Sequence, residues 1–197
     1  MIFVISAPTN GGKNTVMAEI LRRIPDLAHV VTTNSRPPRA NEIDGVDYHF
    51  ISSDEFQRKI SAGDFIEWAL VHNDFKGVQK KSIFEDISRD RDIIIQLDVQ
   101  GFQNIKRTLV QNSAEYKVIG IFLEPPSIAV LKERWALRGD MQDASDVEKR
   151  LADAEIEMEQ RFSYDFIVMN DDLAKCEGEV ERIIRDNMTR PRDGELF

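Results

Sequence analysis

Residues 1–16 read Met-Ile-Phe-Val-Ile-Ser-Ala-Pro-Thr-Asn-Gly-Gly-Lys-Asn-Thr-Val. Ile2 to Ile5 is a short apolar run of β-branched and aromatic residues that stops at turn formers, the pattern of a buried strand. Beyond the loop from Ser6 to Thr15, the residues Val16, Met17, Ile20, Leu21 and Ile24 fall on one side of a helix. A strand, a glycine-containing loop, a lysine and a helix, in that order, make a cradle for phosphate. Loop N–H groups point inward, the helix N-terminus adds positive potential, and the lysine reaches the outer phosphates. The residues so placed are Asn10, Gly11, Gly12, Lys13, Asn14 and Thr15. Gly12 and Lys13 stand where G-x-x-x-x-G-K-[ST] requires them, while Ala7 replaces the first glycine and Asn14 the hydroxyl residue that would hold Mg²⁺. Taken alone, the stretch suits an ordinary strand–turn–helix junction equally well.

The 197 residues suit one domain with small appended lobes, and 42% hydrophobic with 31% charged content is that of a soluble globular protein. No apolar run approaches a membrane span, and no signal-peptide pattern opens the chain. The lone cysteine, Cys176, excludes an intrachain disulfide and a cysteine-based zinc cage, and in its helical pattern it reads as an inert thiol. These features predict a cytoplasmic protein. A net charge of −9 argues against non-specific binding to nucleic acid or to an anionic membrane. A chain of this charge that handles a polyanion must gather its cations locally, so the arginine clusters carry the interest.

Periodicity predicts an α/β fold in which buried strands at 2–6, 92–99, 117–123 and 165–170 alternate with helices. Further strands are expected over 28–33, 48–51 and 65–71. Helices are expected after Ser52, over 80–88 and 101–110, after Ser127, after Ser145 and after Asp171 or Asp172. The division that follows has a nucleotide-binding core at 1–32, 76–126 and 163–188, and a strand-rich insertion at 33–75. A helical segment covers 127–162, and a mobile tail 189–197. Ligands in such sheets sit at the carboxyl ends of the strands, where the loop, Asp98 and Asn170 fall. His29, His49 and His72 show no ligand spacing, and Trp68 and Trp135 are expected on core faces.

The segment Thr32-Thr33-Asn34-Ser35-Arg36-Pro37-Pro38-Arg39, followed by Glu42-Ile43-Asp44-Gly45-Val46-Asp47-Tyr48-His49-Phe50, resembles the nucleoside-monophosphate site of guanylate kinases. The likeness continues in Phe65-Ile66-Glu67-Trp68-Ala69, Leu97-Asp98-Val99-Gln100-Gly101 and the Arg134/Arg138/Gly139 segment. Arg150-Leu151 and Ile167-Val168-Met169-Asn170-Asp171 extend it in the family's order and spacing to about residue 188. The resemblance implies a P-loop NTPase-type parallel sheet flanked by helices, with a mixed GMP-binding insertion and a helical lid. It implies ATP as phosphoryl donor with Mg²⁺ and GMP or dGMP as acceptor, with no obligatory protein partner.

Arg36 and Arg39, on a proline-stiffened loop, make a preorganised fork for a phosphate monoester that the Thr32 and Tyr48 hydroxyls complete. Glu67 lies in an otherwise apolar strand and Asp98 ends another, so each carboxylate needs a partner. Acceptor-only carboxylates suit the N1–H and N2–H₂ donors of guanine and reject adenine. For Asp98 a helix-capping role stays open. Arg134 and Arg138 are i, i+4 on one helix and Arg150 lies in the next. The resemblance makes them, with Lys13, the catalytic cations that close over ATP; a solvent-facing stripe paired with acids such as Glu133 is the alternative. Asn170 is implied on the ATP side. The chain departs from the family at Gln96, where an acid lies near the metal, at Lys76, a tyrosine on the acceptor phosphate, and at Val78, a serine on the base. Asn14 offers only an amide oxygen to Mg²⁺. The expected activity is phosphoryl transfer from ATP to GMP. The alternatives are a guanylate-kinase-like binding module with little turnover, or a kinase for another nucleoside monophosphate.

Overall fold

Every residue of β1 (Ile2–Ser6) is buried, and its alternate side chains feed two cores. Phe3 and Ile5 pack with Val16 and Ile20 of α1 (Lys13–Arg23) and with Val180 and Ile184 of α7 (Leu173–Asn187). Ile2 and Val4 pack on the opposite face with Phe102 and Ile105 of α4 (Val99–Asn112). A strand covered on both faces is apolar at both parities, which is why it reads as a continuous run. The computed structural model describes residues 1–40, 42–71, 73–112, 116–138 and 144–189.

β1 is the middle strand of a five-stranded parallel sheet in the order β2 (Ala28–Val30), β7 (Ile93–Gln96), β1, β8 (Val118–Glu124), β9 (Phe166–Met169). The run expected as one strand over 28–33 is divided. β2 edges this sheet, and β3 (Thr33–Asn34) opens a second one with β4 (His49–Phe50), β5 (Phe65–Val71) and β6 (Asp74–Gln79). Its order is β4-β3-β6-β5, with β6 antiparallel to both neighbours. Because β6 runs to residue 79, this sheet extends beyond the 33–75 expected for the insertion.

Local chemistry sets the helix boundaries. The Ser52 hydroxyl accepts from the Glu55 N–H at 3.2 Å to start α2 (Ser53–Ser61), and α3 (Lys80–Ile87) follows β6 directly. β7 stops at Gln96, short of the strand expected over 92–99, because Asp98 caps α4: its Oδ1 accepts from the Gly101 N–H at 2.8 Å. α5 (Ile128–Arg138), capped by Ser127, and α6 (Ala144–Glu159) enclose a small third core of Leu131, Trp135 and Ala154. The Ser145 side chain, expected to cap α6, lies outside the described residues. A 3₁₀ turn, Gln160–Ser163, leads to β9, and Asp172 Oδ1 accepts from the Lys175 N–H at 3.0 Å to cap α7. Trp135 is buried as expected, whereas Trp68 is 42% exposed on the outer side of β5. Among the described residues no helix is long and apolar enough to cross a membrane.

Candidate active site

The loop after β1 emerges at the carboxyl edge of the parallel sheet, where β1 is flanked by β7 and β8. Gly12 starts α1 with φ +91°, and a Cβ there would lie 2.6 Å from Asn170 Nδ2. That same nitrogen donates to the Gly11 carbonyl at 2.7 Å. Asn170, expected beside ATP, is buried and braces the loop from behind, outside the lining of the cleft. Lys13 Nζ folds back on the loop and donates to the Ala7 carbonyl at 2.5 Å. Burial depresses its pKa and Lys76 acts in the same sense, while Glu157 and Asp98 oppose the shift.

A cleft of about 760 Å³ opens beside this loop. Asn10, Gly11, Gly12, Lys13 and Asn14 line it from the cradle. Thr32, Arg36, Arg39, Tyr48 and Lys76 reach it from the second sheet and its loops. Glu67, Asp98 and Arg150 complete the predicted set that the fold brings together. Thr15 is exposed on the first turn of α1 and does not line it, and Arg134 Nη2 is engaged with the Asn170 carbonyl at 3.0 Å. The Arg138 side chain and Gly139 lie outside the described residues.

The arginine fork is braced from one side. Arg36 is already paired with Glu42, whose carboxylate also accepts from the Arg39 N–H at 2.8 Å. The Arg36 guanidinium lies 5.4 Å from the centre of the Tyr48 ring and 5.5 Å from that of Phe50. The hydrogen bond from Arg36 holds the Glu42 carboxyl below its ordinary range. Glu42 stands in the quoted motif, but its role emerges only when the proline loop folds it back onto Arg36.

Glu67 and Asp98 converge over Gly101. A Cβ on Gly101 would lie 3.3 Å from Asp98 Oδ1 and 3.4 Å from Glu67 Oε1. A β-bulge between Phe65 and Glu67 leaves Ile66 and Glu67 both buried. Glu67 is 6% exposed, its Oε2 has no hydrogen-bond partner, and its register neighbour on β6 is the apolar Val78. Burial, reinforced by Asp98 and opposed by a hydrogen bond from Asn104, raises its pKa to about 8. Asp98 takes the capping role left open for it, its Oδ1 accepting at the head of α4, and it also lines the cleft.

A family model described as guanylate kinase matches residues 1–187. The chain belongs to the guanylate kinase family. The guanylate kinase of Carboxydothermus hydrogenoformans is 33% identical over 192 residues, 98% of this chain and 91% of that one. That of Maricaulis maris is 35% identical over 185 residues, 93% of this chain and 82% of that one. The crystal structure of guanylate kinase from Anaplasma phagocytophilum aligns with a TM-score of 0.77 at 26% identity, covering 96% of this chain and 87% of that chain. The parallel five-stranded sheet flanked by helices, with a second mixed sheet, is the guanylate kinase fold. The family's reaction is phosphoryl transfer from ATP to GMP.

Two further contacts complete the site. Glu157, two turns along α6 from Arg150, accepts from the Thr9 N–H and faces Lys13; burial raises its pKa and Lys13 opposes the shift. Its signal was the spacing from Arg150, which puts both on one helix face. The second is a pair of amides: Gln96 Nε2 donates to Asn14 Oδ1 at 2.8 Å. Among the described residues no group of three or more His, Cys, Asp or Glu suits a metal ion. Neutral amide oxygens fit Mg²⁺ that arrives on a triphosphate and draws its remaining ligands from phosphate and water.

Proposed function

We propose that this chain transfers the terminal phosphoryl group of ATP to GMP or dGMP, giving ADP and GDP, with Mg²⁺, in the cytoplasm. The observation that carries this reading is the convergence of the Glu67 and Asp98 carboxyls in the same cleft as Lys13 and the Arg36/Arg39 loop. Guanine offers donors at N1 and N2, and two acceptor groups meet them; adenine turns an acceptor toward the same groups. Arg36, Arg39, Thr32, Tyr48 and Lys76 hold the monophosphate, fixing its attacking oxygen in line with the donor. Loop N–H groups from Asn10 to Asn14 cradle the triphosphate, with Thr15 and Asn170 supporting the loop from outside the cleft. Lys13 leaves the Ala7 carbonyl for the outer phosphates and, with Arg150, Arg134 and Arg138, stabilises charge on the transferring group. Mg²⁺, held at Asn14 and Gln96, would draw charge from the phosphate oxygens when bound.

In domain terms the parallel sheet is the ATP-binding core. The segment from 33 through β6 is the monophosphate-binding insertion, and α5–α6 carry the lid. The amide pair in place of charged or hydroxyl metal ligands supports a second reading, a nucleotide-binding module with little turnover. A coupled assay of ADP release over GMP, dGMP, AMP, CMP and UMP, with and without Mg²⁺, separates these. GMP-dependent turnover upholds the kinase. GMP binding without turnover selects the module, and preference for another base overturns the assignment of Glu67 and Asp98.

A further inference from the structure

Thr33, Asn34 and Ser35, in and just after β3, are three buried polar residues in succession. Two of them spend their side chains inside the second sheet. Thr33 Oγ1 accepts from Gln79 Nε2 at 2.9 Å, and Ser35 Oγ accepts from the Phe75 N–H at 2.7 Å. Asn34 alternates to the other face and lines the cleft. It is 0% exposed, its Oδ1 accepts from the Arg36 N–H at 3.1 Å, and among the described residues its Nδ2 has no hydrogen-bond partner. A backbone N–H can only donate, so that bond fixes which end of the amide is the oxygen. The neighbours of Asn34 across the sheet are Lys76 on β6 and Phe50 on β4, and the Arg36 guanidinium stands 5.5 Å from the centre of the Phe50 ring. We propose that Asn34 is a further substrate-binding residue, its Nδ2 donating to an oxygen of the acceptor phosphate between Arg36 and Lys76. The inference rests on the assignment of this cleft to a nucleoside monophosphate.

Register separates the phosphate from the base as the group this donor meets. Glu67 pairs with Val78, whereas Asn34 pairs with Lys76, two residues along β6. Because β3 and β6 are antiparallel, the step from Asn34 to Arg36 leads further from Val78 and from Glu67. Asn34 therefore stands on the arginine side of the base. Residues directly opposed on neighbouring strands carry their side chains on one face about 5 Å apart, so Asn34 and Lys76 address the same part of the cleft. Their contributions differ. Lys76 supplies charge on a flexible stem and no fixed direction, while Asn34, short, buried and tied to the Arg36 N–H, supplies direction without charge. A phosphate oxygen accepts from both. A buried donor that the protein itself leaves unmatched gains a partner when that oxygen arrives.

Two variants divide the roles of the amide. Asn34→Asp keeps the shape and the acceptor for the Arg36 N–H but replaces the donor with a second acceptor. Asn34→Ala removes donor and acceptor without adding charge. Calorimetric titration with GMP and with guanosine, which lacks the phosphate, is run on both variants and on the parent, with thermal unfolding alongside. Each variant is expected to bind GMP about tenfold or more weakly, the scale of a lost hydrogen bond to a charged group, while guanosine affinity and the KM for ATP stay near the parent values. An equal loss for guanosine and GMP places the donor on the base and overturns the proposal. Loss in Asn34→Ala alone assigns the residue to holding the Arg36 loop, and loss in Asn34→Asp alone assigns the effect to charge repulsion; either overturns it. Arg39→Ala is measured in parallel. If it weakens GMP binding while neither Asn34 variant does, the proposal fails and the phosphate site stands. If Arg39→Ala also leaves GMP affinity unchanged, the assignment of the cleft to a monophosphate fails with it.

Discussion

The Arg36 guanidinium and the Glu42 carboxylate close on each other fork to fork, with both N–H···O contacts at 2.6 Å. A third N–H goes to the Pro37 carbonyl at 2.9 Å. Of the five guanidinium N–H groups this leaves Nε–H and one on Nη2, adjacent on a single edge, which is the pair a phosphate oxygen fork accepts from. Glu42 therefore orients Arg36 and leaves its binding edge available.

Glu42→Gln loosens that orientation without opening a cavity. The expected result is a KM for GMP raised by about tenfold, with the KM for ATP unchanged, since the lost charge-assisted bonds serve the acceptor site alone. Steady-state kinetics with each nucleotide varied in turn reads the split. A tighter KM for GMP would mean that Glu42 competes with phosphate, contrary to the geometry.

Proton linkage at Glu67 gives a prediction with a definite sign. The free protein holds this carboxyl protonated below about 8, against an ordinary value of 4.5. Guanine's donors require the carboxylate, so below that pH GMP binding releases a proton. Affinity for GMP then rises with pH and levels above about 8. Calorimetry in buffers of different ionisation heat measures the released proton directly, and Glu67→Gln abolishes the release. Stability runs the other way. Between 4.5 and 8 the folded chain holds a proton that the unfolded chain has lost, so this group's contribution to stability falls as pH rises through that window. Glu67→Gln gains in melting temperature over the parent as pH increases, and an equal gain at pH 5 and pH 9 would contradict the shift.

Much of this was legible in the chain itself. β1 and α1 followed from an apolar run and a 3.6-residue period, signals that do not depend on distant residues, whereas the loop between them suited a phosphate cradle and a plain junction equally. The caps at Ser52, Ser127 and Asp172 were legible for the same reason. β6 was not: Asp74-Phe75-Lys76-Gly77-Val78-Gln79 has no clean alternation, and it is a strand because β3 and β5 pair with it on both sides. The same limit applies at the site. Residue types pointed to Arg36, Glu67 and Asp98, but the Arg36–Glu42 pair, the approach of Glu157 to Lys13 and the brace from Asn170 to Gly11 are tertiary contacts. Trp68 went astray because exposure of an aromatic on an edge strand leaves no mark in the pattern.

Gly101 separates stability from recognition. An alanine Cβ would stand 3.3 Å from Asp98 Oδ1, tighter than ordinary contact, and 3.4 Å from the Glu67 carboxyl, at its limit. Neither acid can retreat freely, because one caps α4 and the other is sealed. Alanine meanwhile favours the helix by up to about 1 kcal/mol. Gly101→Ala is expected to leave the melting temperature nearly unchanged while GMP affinity falls by about tenfold or more, as displaced acceptors lose their alignment with the base. Thermal unfolding and GMP titration on one preparation test both halves, and loss of stability with intact GMP binding would reverse the argument.

The amide pair at the head of α1 makes the metal requirement adjustable. Gln96 Nε2 gives Asn14 Oδ1 its hydrogen bond, so the oxygen proposed for Mg²⁺ is a neutral one already shared with another donor. Gln96→Glu replaces that donor with a carboxylate. The Asn14 amide can turn its NH₂ toward one new oxygen, which leaves the other, with formal charge, for the cation. Mg²⁺ binds through one or two carboxylates together with substrate phosphates, and the substitution supplies the first of these. The free Mg²⁺ giving half-maximal rate at constant ATP is expected to fall by about threefold to tenfold, with kcat at saturating Mg²⁺ near the parent value. The measurement is initial rate against free Mg²⁺, with melting temperature in ADP and Mg²⁺ as a second readout. If both curves superimpose on those of the parent, the pair does not face the metal, and Asn14 serves the cradle through its backbone alone.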